Sequence, residues 1–215
     1  MTTYRFDAVI FDFDGVLAES VDVKTRAFAA LYSEHGLEVV EKVVAYHLEH
    51  GGVSRFEKFR YFHETLLGVK LSPDLEQSLG DRFSRLVEDA VVSAPWVEGA
   101  QEFLENCYQD LPLFVASGTP EEELKRILEK RAMGHYFTSA YGAPETKGQI
   151  IRRILDHYRF PHDRVLMMGD AQSDYDGAAE TGVCFIGRIH RDSAKFPPTT
   201  QTVPDLRTLA DLVTE

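Results

Sequence analysis

Asp12 and Asp14 stand two apart at the end of the apolar run Ala8-Val9-Ile10-Phe11, with Gly15 directly after them. A strictly extended backbone would send both carboxylates to one side. The turn at Gly15 instead lets Asp12 and a backbone carbonyl face a cation while Asp14 reaches a leaving group. Two such acids can divide the work of nucleophile and proton donor; for the pair taken alone, an Asx turn closing a strand is the plainer reading. Gly169-Asp170 and Asp174 add acids behind a second apolar run, Val165-Leu166-Met167-Met168. Acids crowded in this way repel one another and any phosphate dianion unless a divalent cation intervenes, and oxygen ligands favour Mg²⁺. Asp170 reads as a direct ligand, and Asp174 as binding through water or orienting a lysine. Either acid could equally cap the following helix, and Asp176 reads as an exposed helical acid.

Ser117-Gly118-Thr119 closes a third apolar run, Leu113-Phe114-Val115-Ala116. The Ser117 hydroxyl and the N–H groups of Gly118 and Thr119 suit phosphate oxygens. Thr119, Pro120 and Glu122 also read as the N-cap, first-turn proline and capping-box acid of a helix, and both readings can hold together. Lys147, within Pro144-Glu145-Thr146-Lys147-Gly148, can neutralise charge on both phosphate and nucleophile; in isolation it would read as a solvated surface lysine.

The elements that must position these groups follow from hydrophobic period. The three apolar runs predict strands buried on both faces, with further strands at 137–141 and 183–186 and helices at roughly 99–108, 120–133, 147–158 and 174–181. This alternation predicts an α/β fold, a Rossmann-like parallel sheet flanked by helices, with chemistry beyond the carboxyl ends of the strands. From residue 15 to about 93 buried strand runs disappear, and amphipathic helices are expected at 20–36, 39–48, 53–67 and 73–92. The chain therefore divides into a catalytic core of residues 1–15 and 94–215 and an inserted helical cap of residues 16–93, placed to cover the active end.

The 215 residues carry a formal charge of −12, which disfavours a nucleic-acid or acidic-membrane partner and leaves a small anion needing local cationic help. The opening residues lack a signal-like pattern and no apolar run reaches spanning length, so the expectation is a cytoplasmic protein. Cys107 and Cys184 read as two buried free thiols.

The four motifs together resemble the haloacid dehalogenase superfamily, in its phosphoglycolate-phosphatase and beta-phosphoglucomutase-like branch with a helical cap. They are Asp12-Phe13-Asp14-Gly15-Val16, Ser117-Gly118-Thr119, Lys147, and Gly169-Asp170-Ala171-Gln172-Ser173-Asp174. The resemblance implies that Asp12 attacks phosphorus and forms an aspartyl-phosphate, which water then hydrolyses. Asp14 would protonate the leaving alkoxide and then activate water. Ser117 and Lys147 would hold phosphoryl oxygens, and Asp12, the Asp14 carbonyl and Asp170 would hold Mg²⁺. The substrate implied is a small phosphorylated metabolite, phosphoglycolate or a sugar phosphate, acted on by a monomer or homodimer.

Cap segments of this branch contribute substrate contacts, and Arg55 is the best positional match, with Lys58 one turn on; the plainer reading is a solvated helix face after a Gly51-Gly52 break. A mutase that returns the phosphoryl group to a sugar is the alternative activity. Its cap histidine maps near Lys24, where this chain has no histidine, so hydrolysis is preferred. A regulatory metal-binding module is the remaining alternative, and the full motif set argues against it. His47, His50 and His63 lack zinc-ligand spacing, and Phe56, Phe59, Tyr61 and Phe62 read as cap packing.

Overall fold

In the computed structural model, which describes residues 3–189 and 196–215, the first apolar run forms β1 (Ala8–Phe11), buried throughout. The other strands are β2 (Leu113–Pro120), β3 (Ser139–Ala143), β4 (Val165–Gly169), β5 (Cys184–Arg188) and β6 (Thr202–Val203). They form one sheet in the order β3-β2-β1-β4-β5-β6, parallel at every pairing. Around it lie α5 (Ala100–Cys107), α6 (Glu121–Lys130), α7 (Lys147–Tyr158), α8 (Gln172–Thr181) and α9 (Leu209–Val213).

Alternate residues of β1 serve different layers. Val9 and Phe11 join Phe103, Leu104, Leu124 and Ile127, whereas Ala8 and Ile10 join Ile150, Ile151, Ile154 and Ala178. Helices thus cover both faces, which is why the strands read as unbroken apolar runs. The chain lays β2 and β3 on one side of β1 and β4 to β6 on the other, so the switch point lies between β1 and β4. Phe11 is in register with Val115 and with Met168. One step further, Asp12 therefore stands between the Ser117 and Asp170 loops.

Between β1 and α5 the chain makes α1 (Val21–Leu31), α2 (Leu37–Glu49), α3 (Arg55–Tyr61) and α4 (Pro73–Val92). The inserted region is helical as expected, but its boundaries differ. The helix expected over 20–36 ends at Leu31 and continues as a short 3₁₀ turn, and that over 53–67 passes into a π-helical turn at Phe62–Leu66. By contrast α4 starts at its expected place, because the Ser72 hydroxyl accepts the Leu75 N–H at 3.3 Å and Pro73 needs no partner in the first turn. Phe28, Phe59, Phe62 and Phe83 are buried together, with the Phe28 ring 4.5 Å from Phe83 and 5.9 Å from Phe59. Each such burial contributes about 1.5–3 kcal/mol.

Two local expectations are corrected. Strand β2 continues through Pro120, so α6 is capped by Pro120 without a side-chain bond, and the Thr119 hydroxyl turns instead toward α1. Cys107 is buried, but Cys184, near the far end of the sheet, is partly exposed.

Candidate active site

Lys147 begins α7 behind a capping box: Thr146 Oγ1 accepts from Gln149 N–H at 3.3 Å, and Gln149 Oε1 accepts from Thr146 N–H at 2.8 Å. The rigid start aims the lysine across the end of β2. Its Nζ lies 2.7 Å from Asp12 Oδ1 and 2.6 Å from Asp174 Oδ1, and it donates to the Ala116 carbonyl at 2.7 Å. An ammonium has three N–H donors, and all three are used. Asp174 Oδ2 accepts the Ala171 N–H at 3.1 Å, so this buried acid is fixed from both sides and orients Lys147. Burial pushes the Asp12 carboxyl up to about 7; Lys147 opposes the rise, and Asp174 and Asp14 add to it. Burial disfavours the Lys147 charge, but Asp12 and Asp174 outweigh burial and hold its acidity below that of an ordinary lysine.

Asp170 follows β4 and packs against Gly15. A Cβ at Gly15 would sit 2.1 Å from Asp170 Oδ2, and Gly15 also has φ +75°, so only glycine fits there. Burial first, then Asp12 and Asp174, push the Asp170 carboxyl well above its ordinary range. Asp12, Asp170 and Asp174 each place one oxygen within 4.8 Å of the others. Lys147 pairs with two of these acids, and Asp170 has no hydrogen-bond or ion-pair partner among the described residues. An all-oxygen set with an uncompensated, half-buried carboxylate fits a hard divalent cation such as Mg²⁺.

A thermal measurement checks this fit. At about 100 Kd, Mg²⁺ should stabilise the protein by ~2.7 kcal/mol, on the order of 5–10 °C in Tm for a chain of this size. Because folding raises the carboxyl pKa of Asp12 and Asp170, the metal-free fold loses stability as pH climbs from the ordinary carboxylate range through about 7. The cation must displace those protons, so its stabilising shift should grow with pH over the same interval. Asp170→Asn should remove the shift; an undiminished shift in that variant would place the cation elsewhere.

Asp14 lies on the cap side of the site. Ser20 Oγ donates to its Oδ1 at 2.5 Å, and Lys24 Nζ pairs with its Oδ2 while donating to Thr119 Oγ1 at 2.8 Å. Burial alone would raise the Asp14 carboxyl, but Lys24, Ser20 and Lys147 together hold it below the ordinary range. Asp14 therefore rests as a carboxylate.

Ser117 is buried, and its Oγ accepts the Thr119 N–H at 3.1 Å, which leaves its own O–H to donate outward. It lines a side cavity of about 260 Å³ with Lys147 and Gly118. The main cavity, about 510 Å³, is lined by Asp12, Asp14, Asp170 and Gly118 at the strand ends and by Lys24, His47, Arg55 and Lys58 from the inserted helices. The α2–α3 loop lies across both core loops. Ser173 Oγ donates to the Gly51 carbonyl at 2.9 Å, and a Cβ at Gly118 would sit 2.3 Å from the Gly52 carbonyl oxygen. Gly118→Ala should therefore disfavour this docked arrangement by about 1–3 kcal/mol. The expected outcome is a kcat/KM lowered on the order of tenfold to a hundredfold with Tm within a few degrees; unchanged kcat/KM would mean that docking is irrelevant to turnover.

The two cap cations have different surroundings. The Arg55 guanidinium is held by Glu123 at 2.6 and 3.0 Å and donates to Ser84 Oγ at 2.9 Å, with Phe83 4.5 Å beneath it. Its charge joins α3 to α6. Lys58 Nζ lies 2.9 Å from His47 Nδ1, above the Phe28 ring. His63 is tied to Tyr32 through a 3.1 Å contact to the phenol.

Sequence reasoning did not assign roles to Ser20, Glu123, His47 or Arg188. Arg188 donates to the Gly15 carbonyl at 2.7 Å and pairs with Glu19 at 2.6 Å, which anchors the first loop to β5. Only Ser20 and Lys24 offered a local signal, since a spacing of four sets both on one face of α1 just after Asp14.

The sequence pattern of the haloacid dehalogenase-like hydrolases matches residues 9–188, and the chain belongs to that family. It is 22% identical over 182 residues to a phosphorylated carbohydrates phosphatase of Thermotoga maritima, covering 82% of each chain. The fold is similar to that of a predicted phosphoglycolate phosphatase of Haemophilus somnus, with TM-score 0.75, 16% identity and coverage of 97% and 98%. It is also similar to the HAD-hydrolase YfnB of Bacillus subtilis bound to magnesium, with TM-score 0.72, 15% identity and coverage of 97% and 98%. Among the described residues, no helix is long and apolar enough to cross a membrane.

Proposed function

We propose that the chain is a Mg²⁺-dependent phosphomonoester hydrolase that acts on a small phosphorylated metabolite, phosphoglycolate or a sugar phosphate, through an aspartyl-phosphate on Asp12. The observation that carries this reading is the convergence of Asp12, Lys147, Asp174 and Asp170 at the sheet's switch point, next to the Ser117 hydroxyl. The phosphatase of Thermotoga maritima supports the phosphomonoester class and a carbohydrate-like leaving group.

An Asp12 carboxylate oxygen attacks phosphorus, and the bond from phosphorus to the leaving oxygen breaks. Asp14, after taking up a proton, passes it to that oxygen; it then receives a proton from the water that attacks the acyl phosphate. Lys147 stays bonded to Asp12 and turns its charge on the phosphoryl oxygens, joined by the Ser117 hydroxyl and the Gly118 N–H, while the Thr119 N–H holds Ser117 Oγ in place. Asp12, Asp170 and the Asp14 backbone carbonyl would hold Mg²⁺, with Asp174 a further candidate ligand, and the cation would supply charge neutralisation for the phosphoryl group. Residues 16–93 act as the cap that excludes water while residues 1–15 and 94–215 carry the chemistry.

The test is a phosphate-release screen of many small phosphoesters with purified protein, with Mg²⁺ and with chelator. Release that needs Mg²⁺ is expected for phosphoglycolate, sugar phosphates or their near analogues. No release across the whole screen would overturn the hydrolase reading.

A further inference from the structure

The inserted helices contribute three cations to the lining of the main cavity, and two are already paired with carboxylates. Lys24 is paired with Asp14 and Arg55 with Glu123. Lys58 has no carboxylate within ion-pair distance among the described residues; its amine meets the His47 ring and lies 5.6 Å from the centre of the Phe28 ring, neither of which carries a negative charge, and His47 Nε2 is itself buried without a hydrogen-bond partner. Both residues are almost wholly buried and both line the cavity. Glu49 and Asp176 also line it but pair with neither.

An ammonium taken out of water without a counter-ion is costly, and a stem packed on Phe28 would be served as well by methionine. Burial, then Lys24, pushes Lys58 down to about 7, while Asp14 and Glu57 oppose the shift. Burial and Lys58 push His47 down to about 2. Both donors are thus set to gain from an anion arriving in the cavity, and His47, whose Nδ1 faces the amine, can present Nε2–H to it.

We infer that Lys58 and His47 form a second anion subsite, so that the substrate is a phosphomonoester bearing another oxyanion, a carboxylate or a second phosphate, away from the scissile group. This rests on the hydrolase reading for the position of the scissile phosphate. A hydroxyl in that place would leave the desolvated amine without its charge partner.

The experiment compares short phosphoesters of matched length that end in carboxylate, phosphate or hydroxyl. Wild-type kcat/KM should be at least about tenfold higher for an anionic end, the factor that one charge-assisted hydrogen bond supplies, and whichever anion leads identifies the source. In Lys58→Met the preference should collapse toward unity, and Lys58→Arg should retain part of it. A wild-type ratio near one, or a ratio kept by Lys58→Met, overturns the subsite. The wild-type comparison decides even if the methionine variant does not fold.

Binding of matched phosphonates to Asp12→Asn with Mg²⁺, by calorimetry, needs no turnover. If the wild-type protein hydrolyses no ester in the screen, tighter binding of the anion-ended phosphonate would support the subsite while removing the hydrolase reading. Equal binding of both ends would overturn the subsite.

Discussion

Asp12→Asn should lower Mg²⁺-dependent phosphate release by at least about 10⁴-fold, in line with the loss of a covalent nucleophile. An amide keeps the size of the side chain but offers no nucleophilic oxygen of comparable strength. The fold has no reason to fail, because Lys147 keeps Asp174 and the Ala116 carbonyl, and the site loses one of three mutually repelling acids. Without metal, Tm should therefore stay level or rise. Activity lost together with a large fall in Tm would point to a structural role, and retained activity would refute Asp12 as nucleophile. Phosphate release at saturating substrate, read beside a melting curve, separates these outcomes.

Lys147→Met should damage both stability and activity. The variant strips a buried counter-ion from Asp12 and Asp174 at once, and breaking a buried pair from one side costs about 3–5 kcal/mol. Tm should fall on the order of 10 °C. Without the ammonium, the Asp12 carboxyl moves further above its unfolded value, so the penalty is full at high pH and shrinks as protonation removes the charge. Mg²⁺ should restore part of the lost Tm, since it offsets the same repulsion. Turnover should remain lower by about 10²–10³-fold even with metal, because no fixed cation faces the phosphoryl oxygens from that side. Melting curves near pH 5 and pH 8, with and without Mg²⁺, check the sign; a Tm loss larger at the acidic end would contradict it.

The core of the site was legible because each part sits at the end of an unbroken apolar strand, and a parallel sheet brings strand ends together whatever their separation in the chain. Asp12, Ser117 and Asp170 follow three neighbouring strands in this way. Lys147 was legible only beside the acids whose charge it offsets, and the structure adds the Thr146 capping box that aims it and the pairing with Asp174 that orients it. The cap was less legible for a physical reason. Its important pairs join different helices: Arg55 meets Glu123 across 68 positions and Lys58 meets His47 across two helices, with no period in the sequence to announce either contact. Arg55 lines the main cavity, but nothing in the segment around it announces the buried Glu123 that pairs with it. Thr119 failed as a helix cap because β2 runs four residues past Ala116, where its apolar pattern ends.

Acid quenching during turnover, followed by borohydride reduction and peptide mass spectrometry, tests the covalent step most directly. A phosphorylated Asp12 should be reduced to homoserine at position 12 in the wild-type protein with Mg²⁺ and substrate, and no such product should form in the substrate-free control. Homoserine at another aspartate, or steady turnover with position 12 unmodified at every quench time, would contradict attack by Asp12.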